Sequence, residues 1–391
     1  MNRLRTCPFL ALLLFAVLSS PAAQAGGILP GTAYPPERRE EKVPATHIAA
    51  AADEKDRSAP AKQTRDAKSP DWAESQHNLG NTLSERGLRA TGKEGEALLS
   101  QAVDAYRKAL TVRTLKAAPL LWGETQNSLG NALCAQGIRT TGEAGVMLLG
   151  QAVEAYRAAL TVRTRKEQPH DWAMTQNNLG SALREQGTRT GGDEGIKLLT
   201  QAADAYRAAL TVRTRKEQPN DWAIIQNNLA TALSDLGKRT PEEPGTRLLA
   251  QAVEAYRAAL TVRTREAKPA DWAITQNNLG TALRAQALRS SGQTAVNLYS
   301  QAAEAYRAAL TVRTREATPQ GWATTQYNLG TVLRDLALRT PGEEGLKIMD
   351  QAIKAFQDIL IVVTKEAYPH QWAILQNNIS DTIRLRQKMS E

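Results

Sequence analysis

Little in this chain is equipped for covalent or metal chemistry. Its four histidines are His47, His77, His170 and His370, and its two cysteines are Cys7 and Cys134. That leaves little material for a histidine metal site, and it excludes a Cys-rich zinc module and a disulfide-stapled scaffold. Cys134 has no histidine in its own stretch of sequence. The carboxylates are spread as surface charges without a pocket to shift them. No catalytic residue, metal site or cofactor is expected, and the chain is not expected to be an enzyme. What the side chains do offer is serial hydrogen bonding. Asn177, Ser181 and Arg184 stand at i, i+4 and i+7, and the pattern returns at Asn227, Thr231, Ser234 and at Asn277, Thr281, Arg284. A second series, Asn178, Asn228, Asn278, Asn328 and Asn378, begins at Asn78, with Ser128 departing from it. An amide donates and accepts at once, which suits an extended peptide backbone. Arg284, Arg334 and Arg384 add planar forks suited to carboxylates. Two readings stay open for each series. The first lines a groove or is a plain solvated face; the second bonds a ligand or a neighbouring helix.

The elements that carry these residues follow a fifty-residue period. All seven tryptophans obey it (Trp72, Trp122, Trp172, Trp222, Trp272, Trp322, Trp372), as do Gln101, Gln151, Gln201, Gln251, Gln301 and Gln351. A fixed period of this size means stacked supersecondary units. In one unit, Pro169 is expected to stop the preceding helix and Asp171 to cap the next. Helix A is expected over 172–186, with Trp172, Gln176, Leu179, Leu183 and Gln186 on one face at 100° per residue and Gly187 at its exit. The turn Arg189 to Gly195 reads as a connector. Helix B is expected over 195–216, burying Leu198, Leu199, Ala202, Ala205, Tyr206, Ala209 and Leu210. Neither helix can bury its face alone, so each must pack on its partner and on the next unit. Alanines permit close approach, and the tryptophans are expected in the core. Seven A helices and six B helices give about 13, the last A helix (372–389) acting as a cap.

The unit resembles a tetratricopeptide repeat. Asn178-Leu179-Gly180 with Leu183 matches the helix A pattern; Ala202, Tyr206, Ala209 and Pro219 match helix B and its terminal proline. The stretch Asp-Trp-Ala-x-x-Gln-Asn-Asn-Leu, with a later Ala-Tyr-Arg-Ala-Ala-Leu-Thr-Val-Arg-Thr, is most similar to the kinesin-light-chain subclass. The resemblance covers about residues 71–391. It implies an all-α, right-handed superhelical solenoid of antiparallel helix pairs that binds protein or peptide segments. It also implies that helix A lines the concave face, with the residue before the helix A leucine often touching ligand backbone. On that basis the peptide-binding candidates are Asn177, Asn178, Arg184, Asn227, Asn228, Asn277, Asn278, Arg284, Asn328 and Arg334. The arginines make acidic segments eligible partners. The departure is length: 50 residues against a standard 34.

Residues 1–25 read as a secretory signal peptide, with Arg3 and Arg5, an apolar run from Pro8 to Leu18, and Ala23-Gln24-Ala25 as a cleavage site. Removal of the two arginines lowers the net charge from +9 to +7. Residues 26–70, rich in proline and mixed charge, read as a flexible, disordered leader. No later segment is apolar enough to span a bilayer. Basic residues at the end of helix B, such as Arg163, Arg165 and Lys166, are explained mainly by the helix dipole. An exported location and the absence of interleaved exposed aromatics argue against nucleic acid. The expected role is a periplasmic or secreted protein-binding scaffold. The rival is a structural spacer or self-assembly module acting through its ends and convex face.

Overall fold

A computed structural model describes residues 69–391. The expected signal peptide, the leader up to residue 68 and Cys7 lie outside the described residues. Among the described residues there are thirteen α-helices and no strand. Two compact units contain them. Residues 69–214 hold α1 (Pro70–Arg89), α2 (Gly92–Leu110), α3 (Pro119–Arg139), α4 (Gly142–Leu160), α5 (Pro169–Arg189) and α6 (Gly192–Leu210). Arg215–Glu391 holds α7 (Pro219–Arg239), α8 (Glu242–Leu260), α9 (Pro269–Ala287), α10 (Gly292–Leu310), α11 (Pro319–Ala337), α12 (Gly342–Ile359) and α13 (Pro369–Ser390). Within each unit every A helix packs on the B helix that follows it, and that B helix packs on the next A helix. Successive A helices also touch: α1 with α3, α3 with α5, α7 with α9, and α9 with α11. In the second unit α13 has no B partner and packs on α12, burying Leu375, Ile379 and Thr382.

Helix lengths depart from the expectation. Helix A of the reference repeat is longer, at 21 residues, and helix B shorter, at 19. Pro169 opens α5 instead of closing α4, because a proline at the first helical position removes a donor that would have no partner. Asp171 then falls inside the first turn and does not cap the helix; the N-cap is Gln168. Gly187 also lies inside α5. A Cβ there would come within 3.1 Å of both Leu198 and Leu199, so the glycine permits helix–helix contact. Helix B stops at Leu160 or Leu210, where the threonine that follows bonds back: Thr161 Oγ1 donates to Ala158 O at 2.7 Å. Val162 and Arg163 then close tight turns onto Ala159 O, and residues 161–168 link to the next A helix.

The core belongs to tyrosines and alanines. Tyr106, Tyr156 and Tyr206 in the first unit, and Tyr256, Tyr306 and Phe356 in the second, are among the largest fully or nearly fully enclosed side chains. The ring edge of Tyr206 lies where a Cβ on Gly180 would fall, at 2.9 Å, so this glycine makes room for the aromatic. Each hydroxyl is satisfied across the pair: Tyr156 donates to Asn131 Oδ1 at 2.8 Å, and Tyr206 and Ser181 pair at 3.0 Å. The tryptophans are half-buried, not core residues. They sit in the first turn of each A helix, where Trp172 N bonds Gln168 O at 2.8 Å. In the second unit Trp322 and Trp372 lean on the cluster of Phe356, Ile359 and Val363 from its edge.

The A-to-B connector rests on two glycines. Gly92, Gly142, Gly192, Gly292 and Gly342 have φ between +56 and +70°, and Glu242 alone holds this position with a side chain, at φ +55°. Three residues further on, a Cβ at Gly145 would lie 2.1 Å from Thr140 O, which is backbone and cannot yield. Ala295 takes that position only where the preceding helix ends at Ala287. Gly145→Ala is expected to destabilise the chain by about 1–3 kcal/mol through overpacking. Glu242→Gly is expected to stabilise it by about 0.5 kcal/mol, relief of left-handed strain outweighing the lost first-turn charge. Urea midpoints at unchanged slope check both signs.

Candidate functional site

The first asparagine series is turned inward. Thr175, on α5, is wholly enclosed. It accepts from Arg163 Nη1 at 3.3 Å, and its Oγ1 lies 3.3 Å from Asn127 Oδ1 on α3 and 2.8 Å from Asp171 O. Arg163, from the turn after α4, is itself buried, and burial lowers its pKa against the opposing pull of Asp171 and Glu124. The same junction recurs in the second unit, where Thr275 accepts from Arg263 Nη1 at 3.2 Å and lies 3.2 Å from Asn227 Oδ1. Arg313 and Thr325 pair at 3.1 Å. In the first unit His77 stands where the other repeats carry asparagine, Tyr327 excepted. Its Nδ1 lies 3.1 Å from Thr125 Oγ1, which accepts from Arg113 Nη1 at 3.2 Å.

The sequence candidates therefore divide. Asn177, Asn178, Asn227 and Asn228 are buried. Asn178 is fully enclosed and donates to Asn131 Oδ1 at 3.1 Å on the neighbouring A helix. Asn277, Asn278 and Asn328 are half-buried; Asn328 donates to Asn277 Oδ1 at 3.3 Å, and Asn277 to Asn278 Oδ1 at 3.4 Å. These amides bond along successive A helices within each unit, which is the neighbouring-helix alternative left open for the second series. In the first series Asn127 and Asn227 each accept from a threonine of the following A helix, at 3.3 and 3.2 Å. Arg184 pairs with Glu185, and Arg284 bonds Asp335 through Nε at 2.9 Å and Nη2 at 2.8 Å. Arg334 is half-buried on α11, and the exposed Arg384 pairs with Asp381 at 2.6 Å. Three of the four arginines thus already face carboxylates of the chain. Cys134 is enclosed, and burial pushes its thiol up to about 12.

Two sets of functional contacts were not foreseen. Arg139 caps the preceding A helix, donating to Gly87 O at 2.6 Å and Leu88 O at 3.0 Å. Arg189 does the same for Gly137 O at 2.7 Å and Ile138 O at 2.8 Å, satisfying carbonyls that a helix end leaves open. The Arg-Thr start of each connector was the available signal. Between B helices, Arg107 reaches Gln151 at 3.0 Å and Arg157 reaches Gln201 at 3.0 Å, which accounts for the periodic glutamines.

Within the first unit a cleft of about 560 Å³ opens among α1, α3 and α5. His77, Asn81, Ser84, Glu124, Asn131 and Asp171 give it polar walls, and Leu120, Leu121 and Met174 give it an apolar rim. Leu120 and Leu121 are about half exposed, where the reference repeat has His170 and Asp171. This break in the Pro-x-Asp-Trp pattern was visible in the sequence. His77 stacks edgewise on Tyr106 at 5.6 Å, and its Nε2 lies 3.8 Å from Glu124 Oε1. The chain matches no protein-family model, and a search of curated proteins finds no similar sequence.

Burial, aided by Arg113 and opposed by Glu74, lowers His77 from 6.5 to about 4. The folded chain therefore holds it neutral while the unfolded chain binds a proton below pH 6.5. Stability is lost as pH falls through that window, by about 1–2 kcal/mol between pH 7 and pH 5. His77→Asn, which copies the other repeats, is expected to flatten this loss. Comparing Tm at pH 7 and pH 5 for both proteins checks it; equal losses would clear His77 of responsibility.

Proposed function

We propose that the chain is a non-catalytic scaffold of the cell envelope, a tetratricopeptide-like array that binds protein or peptide segments. The reading of residues 1–25 as an export signal supports the location. The observation that carries the binding role is the cleft of about 560 Å³, in which exposed leucines border polar walls. Concave sites of this size with a few convergent polar groups suit ligand segments. The candidate surface is accordingly the α1–α3–α5 cleft, whose walls include the first rungs of the ladder at His77, Asn81, Ser84, Asn127 and Asn131.

A second reading is self-assembly, favoured by Leu288 and Leu338, each 48% exposed at the ends of α9 and α11. Panning a displayed random-peptide library against the full mature chain separates the two. Binding predicts enriched sequences that are lost when Ser128→Trp fills the cleft from α3. Absence of enrichment, with concentration-dependent association in light scattering, favours assembly.

A further inference from the structure

The arginine–carboxylate bridge of the second unit has no counterpart in the first. Arg284 on α9 reaches Asp335 on α11 at 2.8 Å, with both side chains largely buried. The positions equivalent by the fifty-residue period on α1 and α3 are Ser84 and Ala135. Neither side chain can span the gap between those helices, and both line the cleft. The space that a guanidinium fills between α9 and α11 is therefore open between α1 and α3.

Charge in the open space is uneven. Glu85, Glu124 and Asp171 line it against a single guanidinium, Arg163, already bonded to Thr175 at 3.3 Å. Arg163 is also the only one of the four buried below the surface. Glu124 is about half exposed and 3.8 Å from a histidine that stays uncharged at neutral pH. The apolar rim at Leu120 and Leu121 faces the same opening. A chain of formal charge +9 thus presents a cleft lined by three carboxylates and one guanidinium; Glu85 also faces Arg89 at 3.9 Å, while Glu124 and Asp171 keep the balance negative.

We infer that the cleft takes a cationic, partly apolar peptide segment of a partner, whose Lys or Arg enters the place that Arg284 occupies in the second unit while apolar neighbours cover Leu120 and Leu121. This rests on the binding role proposed above and names the partner's chemistry. It departs from the acidic partner that the arginine series pointed to, because Arg184, Arg284 and Arg384 already face carboxylates of their own chain. The guanidinium or ammonium forms no covalent bond; it replaces water around Glu85 and Glu124 in a site that is only partly open to solvent.

The test uses the full mature chain and two short fluorescein-labelled peptides, one of alternating Lys and Leu and one of alternating Glu and Leu. Anisotropy is expected to detect the Lys/Leu peptide and not the Glu/Leu peptide, with affinity falling as salt rises. Ser84→Arg, which restores the repeat's own cation, is expected to weaken binding about tenfold or more, as is Glu124→Lys. Circular dichroism and Tm confirm that both variants fold, and Glu124→Gln is a gentler variant should the reversal disturb packing. Preference for the Glu/Leu peptide, still sensitive to Ser84→Arg, would overturn the cationic assignment and leave the cleft as the site. Binding of neither peptide, or binding indifferent to all three substitutions, would overturn the cleft reading with it. Concentration-dependent self-association abolished by Ser84→Arg would overturn the partner and assign a second copy of the chain.

Discussion

A buried hydroxyl joins three stretches of chain that are distant in sequence. Thr175 meets a guanidinium from the turn after α4 and an amide from α3. Thr175 Oγ1 also lies 2.8 Å from Asp171 O within its own helix, so what the junction satisfies is the buried Arg163 and Asn127, each of which would cost about 1–3 kcal/mol if enclosed without a partner. Much else follows from this demand. Helix B must end early enough for Arg163 to turn inward. The link over 161–168 must then carry the chain across to Pro169, and successive A helices must lie side by side. The first A helix of the second unit departs from the rule, carrying Ile225 in the threonine's place. In the first unit Arg213, the equivalent of Arg163, donates to His170 O at 3.1 Å.

The apolar core obeys a companion constraint. A tyrosine enters each pair over a small residue of helix A, and its hydroxyl must end on a polar atom there. The partner varies while the bond remains: Asn81, Asn131 and Ser181 in the first unit, Thr231 and Thr281 in the second. Phe356 lacks the hydroxyl, and Thr331 there bonds Tyr327 O at 2.8 Å, the same back-bond that Ser181, Thr231 and Thr281 make beside their tyrosines.

The number and order of helices were legible because tryptophan and glutamine keep their period without slippage, as proline does from Pro119 onward. The directions of side chains were less so. Asn127 and Asn227 have the spacing of a solvated or groove-lining stripe, but that spacing is the same whether a helix faces water or another helix. Only the contact between A helices decides, and it is non-local. Tryptophan misled for a related reason: a large apolar ring is ordinarily assigned to the core, whereas the first-turn position leaves it at the edge. Arg163 was read through the helix dipole, although the helix had already ended three residues earlier. The cleft was partly legible, since Leu120 and Leu121 break the Pro-x-Asp-Trp pattern and Ser84 and Ala135 lack the charges of Arg284 and Asp335. Its walls required knowing which of those breaks lie together.

The bonds between neighbouring pairs connect fixed offsets: Arg157 to Gln201, Asn127 to Thr175, Arg189 to Ile138. Each offset lies close to one period, so a block of fifty residues can be excised or duplicated and the flanking donors still find equivalent acceptors. A shorter insertion would mismatch all three kinds of bond at once. Recombination between nearly identical coding stretches can thus lengthen or shorten such a chain only in whole modules, and the hydrogen bonds themselves act as the proofreader of its length.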